Sequence, residues 1–157
     1  MAGAVLIKRR PFVTIKDILQ HKGSKVWSVK ANQTIQEALQ ILVRQKIGAV
    51  LVLNENGTIA GILSERDIVR GCYQDSKGLD KTPVKELMTK NVITGSPEDN
   101  ISNVMAVMTE NRVRHIPVLA DGKVAGIVSI GDVVKALLED SEHQIRYLKE
   151  YLYGSNS

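Results

Sequence analysis

Aromatic residues make up only 4% of this 157-residue chain. Two consequences follow. The core must be aliphatic, built from Val, Ile, Leu and Ala, and there is little material for the stacking platforms that single-strand nucleic-acid binders use. Cys72 is the only cysteine, which excludes an internal disulfide or a cysteine-based metal cluster. His21, His115 and His143 are far apart and show no metal-ligand spacing, so no metal site is expected. Apolar runs such as Ile47–Leu53 are far too short to cross a bilayer, and no membrane association is expected. The short apolar stretch Ala2–Ile7 is followed by cations rather than preceded by them, the reverse of a secretory signal. A cytoplasmic or organelle-lumen location is expected. Ser64 and Ser129 lack a Gly-x-Ser-x-Gly setting, and there is no Walker loop, so an enzyme and a catalytic cofactor are disfavoured.

What charge there is lies unevenly. The net charge is +4, yet residues 1–30 hold Lys8, Arg9, Arg10, Lys16, Lys22, Lys25 and Lys30 against Asp17 alone, a balance of +6 that leaves −2 for the rest. The body is nearly neutral and a poor match to a polyphosphate backbone, so no nucleic-acid partner is expected. The basic stretch reads as a solvated leader.

The chain is internally duplicated. Gly57–Arg70 lies over Gly122–Lys135 with seven of fourteen pairs identical, and most of the others exchange one aliphatic or one cation for another. Upstream, Ile35, Ala38, Leu39, Ile41 and Leu42 lie over Ile101, Val104, Met105, Val107 and Met108, and Ile15–Leu19 resembles Val84–Met88. Each copy predicts the same order of elements. A short strand (Val26–Val29; Val92–Thr94) precedes a helix, which Thr34 and Glu37 open in copy one as a capping box. That helix carries Ile35, Ala38, Leu39 and Leu42 on one face. Two β-branched strands follow, joined in copy two by Asp121-Gly122, a strong hairpin signal. A second helix begins after Ser64 or Ser129 and, in copy one, is expected to stop at Gly71. Asp75–Thr82 reads as a polar linker, with Pro83 opening the next helix. The expected fold class is α+β: two βαββα repeats related by a pseudo-twofold, with a cleft on each side. The expected divisions are a basic tail over 1–13, repeats over 14–77 and 78–140, and a C-terminal helix and tail over 141–157. In that last segment Ile145, Leu148 and Leu152 form one stripe, with Tyr147 and Tyr151 beside it. It packs either on its own body or across a dimer.

Ser64-x-x-Asp67 and Ser129-x-x-Asp132 admit two readings. As capping boxes they serve only the backbone. The same geometry also suits a ligand: a helix N-terminus favours a phosphate, and a carboxylate one turn in can accept charged hydrogen bonds from ribose hydroxyls. Both roles could hold together. Arg112, Arg114 and His115 precede the strand Ile116–Leu119; they are either a solvated cluster or cations for that phosphate. Copy one has Gly48 and Ala49 at the positions of Arg114 and His115, and Arg66 is replaced by Gly131 in copy two. The two clefts are therefore expected to be unequal. The strand edges at Ser28, Val50, Thr94, Ile116 and Pro117 are the natural walls for an adenine. Trp27 reads as core or interface.

The motifs Gly61-Ile62-Leu63-Ser64-Glu65-Arg66-Asp67, Arg114-His115-Ile116-Pro117-Val118 and Gly126-Ile127-Val128-Ser129-Ile130-Gly131-Asp132 resemble those of cystathionine-β-synthase (CBS) domains. The pair resembles a Bateman module, and the resemblance covers about residues 14–140. It is similar to the stand-alone tandem-CBS proteins of bacteria and plant organelles. The resemblance implies that Asp67 and Asp132 hold ribose, that Ser64 and Ser129 lie beside ribose and phosphate, and that Arg114 and His115 face the phosphate. It implies an adenine-nucleotide ligand (AMP, ADP, ATP or NAD(H)), a homodimer, and a sensor of energy or redox state acting on a regulated protein that the sequence does not name. The rival expectation is a structural dimerisation module without a ligand.

Overall fold

A computed structural model describes residues 12–75 and 78–154. Lys8, Arg9 and Arg10 of the basic leader lie outside the described residues, as do two linker residues and the last three of the tail.

The chain runs α1 (Ile15–Lys22), β1 (Ser28–Lys30), α2 (Ile35–Gln45), β2 (Ala49–Leu53), β3 (Ile59–Ser64), α3 (Glu65–Gln74), a 3-10 turn (Leu79–Lys81), α4 (Val84–Leu87), α5 (Ile101–Asn111), β4 (His115–Ala120), β5 (Lys123–Ser129) and α6 (Ile130–Tyr153). Most helices start where a side chain can satisfy the orphan N–H groups of the first turn. Thr14/Asp17, Thr34/Glu37, Ser64/Asp67 and Ser129/Asp132 all form capping boxes, and Asn100 caps α5. Both α2 and α5 end on a residue in the left-handed conformation, Lys46 and Arg112. The duplication thus extends to backbone detail.

The first sheet has the order β1-β2-β3, with β1 parallel and β3 antiparallel to β2. The second has β4 antiparallel to β5, joined by a tight turn in which Asp121 and Gly122 both have positive φ (52° and 74°). This is the backbone that a two-residue hairpin loop requires. The first strand sits two residues later than the sequence pattern predicts. In copy two the expected strand Val92–Thr94 does not form, and a single parallel bridge, Gly95 to Val118, takes its place. Gly95 bonds the carbonyl of Pro117 and the N–H of Leu119, as a strand residue would. The following Ser96-Pro97 then ends the pairing, because proline has no N–H to donate.

Gly71 also departs from expectation. The helix α3 continues through it to Gln74, and Gly71 is buried. A Cβ there would come within 2.7 Å of Leu87 Cδ1, so this glycine permits close packing of α3 on α4 rather than ending a helix.

Two aliphatic cores form, and each crosses the repeat boundary. One holds Val29, Ile35, Ala38, Leu42, Val50, Val52, Leu63 and Ile68 of the first repeat together with Val84 of α4. The other holds Ile101, Val104, Met108, Ile116, Val118, Val128 and Val133 of the second repeat together with Ile15 and Ile18 of α1. The lead-in helices are exchanged. Each rests on a glycine of the other repeat's sheet: Met88 on Gly61 and Leu19 on Gly126.

Candidate functional site

The exchange sets the surroundings of the two Ser-x-x-Asp motifs. Each lies where a strand passes without a loop into a helix, so the motif is both strand end and helix cap. The first helical N–H is tied to the strand entrance beside it. Glu65 N–H donates to the Gly48 carbonyl (3.0 Å), and Ile130 N–H to the Arg114 carbonyl (2.8 Å).

At the first motif, Asp67 Oδ2 accepts from Ser64 N–H (2.8 Å) and Ser64 Oγ (2.7 Å). Its other oxygen, Oδ1, accepts from Thr89 Oγ1 at 3.2 Å. Thr89 follows α4, and its backbone exchanges hydrogen bonds with Ile62 of β3. At the second motif, Asp132 Oδ2 accepts from Ser129 N–H (2.8 Å). The same oxygen takes the Lys22 ammonium at 2.7 Å, and Lys22 also donates to the Ile127 carbonyl. Lys22 ends α1 and so arrives from the exchanged helix, as Thr89 does on the other side. Burial by itself raises the Asp132 carboxyl, but Lys22 and Ser129 outweigh it and hold the group below the usual carboxylate value.

His115 sits between the two repeats. A Cβ on Gly48 would lie 3.1 Å from His115 Cε1, so the glycine leaves room for the ring, and Glu65 is the next group beyond. Burial, helped by the charges of Lys22 and Arg114, holds the imidazole below its ordinary value against the pull of Asp132 and Glu65. Of the expected Arg114–His115 cation pair, Arg114 is exposed and His115 is half-buried. Arg66 is exposed as well, and its guanidinium makes a long (3.4 Å) hydrogen bond to the Arg112 carbonyl across the repeats.

The expected adenine walls divide. Ser28 is exposed at the start of β1, and Thr94 is exposed in the irregular segment before Gly95. Val50 and Ile116 lie in the aliphatic cores, with side chains 0% and 2% exposed, so Val50 does not present a side-chain wall. Pro117 is buried too, with its carbonyl engaged by Gly95. Thr94 and Ile116 do line one small cavity of about 180 Å³, with Gly95, Asn103 and Val107. That is below the ~300–1,000 Å³ of most ligand pockets. Trp27, read as core or interface, packs against the first core under the Lys25 ammonium, which is 4.2 Å from the ring centroid. Among the described residues there is no cluster of three or more His, Cys, Asp or Glu able to hold a metal ion, and no helix is long and apolar enough to cross a membrane.

Sequence reasoning missed Lys22 and Thr89. Lys22 was assigned to a solvated leader because its partner is 110 residues away. The one available signal was the likeness of Ile15–Leu19 to Val84–Met88, which marks α1 as part of a repeat rather than of a tail.

Two halves with exchanged lead-in helices, and a capped carboxylate facing each exchanged segment, define a pseudo-twofold module of paired repeats. The family described as CBS domain matches residues 15–73 and again residues 84–139, and the chain belongs to that family. It is 34% identical over 150 residues to the CBS domain-containing protein CBSX3, mitochondrial, of Arabidopsis thaliana, covering 90% of this chain and 72% of the relative. A CBS-domain containing protein of Agrobacterium tumefaciens has a similar crystal structure: TM-score 0.78 and 40% identity over 80% of this chain and 99% of that one. The CBS domain pair of protein MJ0100, solved in complex with 5′-methylthioadenosine and S-adenosyl-L-methionine, superposes with TM-score 0.72 at 27% identity, over 83% of this chain and 99% of that one.

Proposed function

We propose that this CBS domain pair is a non-catalytic regulatory module that binds an adenine nucleotide (AMP, ADP, ATP or NAD(H)), with ribose held by Asp67 or Asp132. The observation that carries the reading is the placement of two capped carboxylates at pseudo-equivalent helix N-termini, each facing a segment from the other repeat. A ligand there touches both repeats at once. It favours one arrangement of them by its difference in affinity, and that difference is what a regulated partner protein reads. Ser64 and Ser129 flank the ribose and phosphate, and Arg114 and Arg66 are the exposed cations, one from each repeat. His115 becomes a third when a phosphate raises its pKa. The adenosine complexes of the MJ0100 pair support the ligand class. The module works in the cytoplasm, where the nucleotide pool reports energy and redox state, and it works as a homodimer.

Thermal melting of nucleotide-stripped protein tests the proposal. A ligand at ~100 times its Kd adds about 2.7 kcal/mol, which for a chain of this length raises Tm by roughly 5–10 °C. That rise is expected with at least one of AMP, ADP, ATP, NAD or NADH and not with the guanine counterparts. A flat Tm across all five at millimolar concentration would leave the structural dimerisation module as the better reading. A rise with S-adenosyl-L-methionine alone would keep the adenosine site and replace the ligand.

A further inference from the structure

The ring of His115 stands apart from the other polar groups of its cleft. Ser129 and Lys22 are both hydrogen-bonded to Asp132. Neither ring nitrogen of His115 has a hydrogen-bond partner among the described residues. His115 opens β4 and pairs with Ser129, the cap of α6, which places it in the cleft of Asp132. The half-buried ring reaches toward the other repeat. A Cβ on Gly48 would lie 3.1 Å from His115 Cε1, 3.2 Å from its Nε2 and 3.9 Å from Glu65 Oε2, so the imidazole and that carboxylate approach one point from two sides.

The charges around the ring balance. Lys22 at the end of α1 and Arg114 before β4 are positive, and Asp132 of α6 and Glu65 of α3 are negative, two against two. Arg66 of α3 is turned to the Arg112 carbonyl instead. Burial and the two cations keep the imidazole below its ordinary value. A neutral ligand leaves the balance as it is. A phosphate adds negative charge that no group in the cleft offsets, and in a half-buried site a negative neighbour favours the imidazolium.

We propose that His115 makes the Asp132 cleft a proton-coupled site: a phosphate-bearing adenosine enters together with a proton, taken up from solvent on the imidazole, and an adenosine without phosphate enters without one. The inference rests on the nucleotide reading above and adds a second signal to it. In the first repeat Ala49 pairs with Ser64 as His115 does with Ser129, so the Asp67 cleft has no imidazole at that place. The Asp67 cleft answers to nucleotide alone, and the Asp132 cleft to nucleotide and pH together. The direction is fixed by linkage. Binding of the phosphorylated ligand tightens as the pH falls through the value of the ring in the complex, and stops tightening below the lowered value of the ligand-free protein.

The probe is the tightest binder among AMP, ADP, ATP, NAD and NADH, with adenosine as the phosphate-free control. His115→Gln keeps a polar side chain that takes up no proton, and the ratio of wild-type to variant affinity cancels the titration of the probe's own phosphate. For the probe, titration calorimetry is expected to show the wild-type advantage at the Asp132 cleft growing about three- to tenfold from about pH 8 to about pH 6. For adenosine the ratio is expected to be level. Ring-proton NMR of the wild type gives a reading that needs no variant. Of the three histidines, His21 and His143 are exposed, and His115 is the one held below its ordinary value. The ring that titrates lowest in the ligand-free protein is expected to titrate at higher pH with the probe bound, and not with adenosine bound. A level ratio for the probe, or a ring whose titration the probe does not move, overturns the proton coupling while leaving nucleotide binding standing. Failure of all five probes to bind the wild type overturns both.

Discussion

The two clefts share a backbone and differ in what the exchanged segment brings. At Asp67 a neutral hydroxyl, Thr89, occupies one carboxylate oxygen. At Asp132 an ammonium, Lys22, occupies the other. A ribose arriving at Asp67 replaces one neutral hydrogen bond by another. A ribose arriving at Asp132 would meet a carboxylate whose charge is already partly neutralised by Lys22 on the capping oxygen Oδ2. The lesson is that duplicated motifs do not make duplicated sites: the capping box is copied faithfully, and the inequality comes from residues outside it.

The largest effect that can break this comparison is removal of the carboxylate charge. Asn caps a helix about as well as Asp, but it lacks the charge that strengthens the ribose bonds, which are worth about 1.5–3 kcal/mol each. Asp67→Asn is therefore expected to lower the affinity of its own cleft by at least ~tenfold, since ~1.4 kcal/mol is a decade. The Asp132 cleft should be untouched, and Asp67→Asn/Asp132→Asn should bind at neither. Titration calorimetry with AMP resolves the classes of site. Wild-type affinity in the double variant would reduce both motifs to capping boxes.

Next in size is a difference in stability between two equivalent glycines. A Cβ on Gly61 would meet the Thr89 carbonyl oxygen at 2.8 Å as well as Met88 Sδ, and backbone cannot turn aside. On Gly126 the nearest atoms are the tips of Leu19, the closest at 2.7 Å, and a side chain can rotate away. Gly61→Ala is expected to cost about 1–3 kcal/mol by overpacking, and Gly126→Ala under ~1 kcal/mol. Denaturant melts that place the two in the reverse order would show that the exchanged helices are not held as described.

The smallest effect is the most pointed. The Lys22–Asp132 pair is about one-third and one-quarter exposed on its two sides (34% and 25%), so it contributes only about 0.5–1 kcal/mol. Lys22→Met frees the carboxylate, and adenosine, which has no phosphate to miss the cation, is expected to bind the Asp132 cleft about two- to fivefold more tightly. Acid stability should change as well. The folded Asp132 carboxyl titrates below its unfolded value, so its contribution is present above about pH 4 and is lost as the pH falls through the folded value. In Lys22→Met that acid-side loss should shrink. Unchanged adenosine affinity at both clefts would mean that Lys22 does not set the difference between them.

Much of this was readable in the residues, and the reasons for the remainder are specific. Local signals gave the helices and hairpins: Thr34 and Glu37 three apart, Asp121-Gly122 between two β-branched runs. The repeat gave the symmetry. Contacts made at long range escaped. Gly71 looked like a helix end because its packing partner, Leu87, lies on another helix. Val50 looked like a wall because alternation along a strand does not say which face is buried when both are, and all five residues of β2 are at least partly buried. The burial of His115 beside Gly48, which lowers its pKa, is likewise a contact with the other repeat. The inequality of the clefts was expected from Arg66, Arg114 and His115, whereas the contacts that separate the two carboxylates come from Lys22 and Thr89.

The exchanged lead-in helices carry a consequence of a different kind. Joined by the segment after Asp75, the two halves have the topology of a domain-swapped dimer written into one polypeptide. Neither half is a closed unit. Each carries a sheet with a vacant berth and a helix that fits only the other's berth. A half produced alone would have to trade arms with another copy of itself to cover its core. A gene encoding one such unit would thus yield a pair before any duplication took place, and fusion of two genes would preserve a partnership already present. The clefts that divide the two repeats lie along that exchange, so each carboxylate looks out on the arm its repeat received in trade.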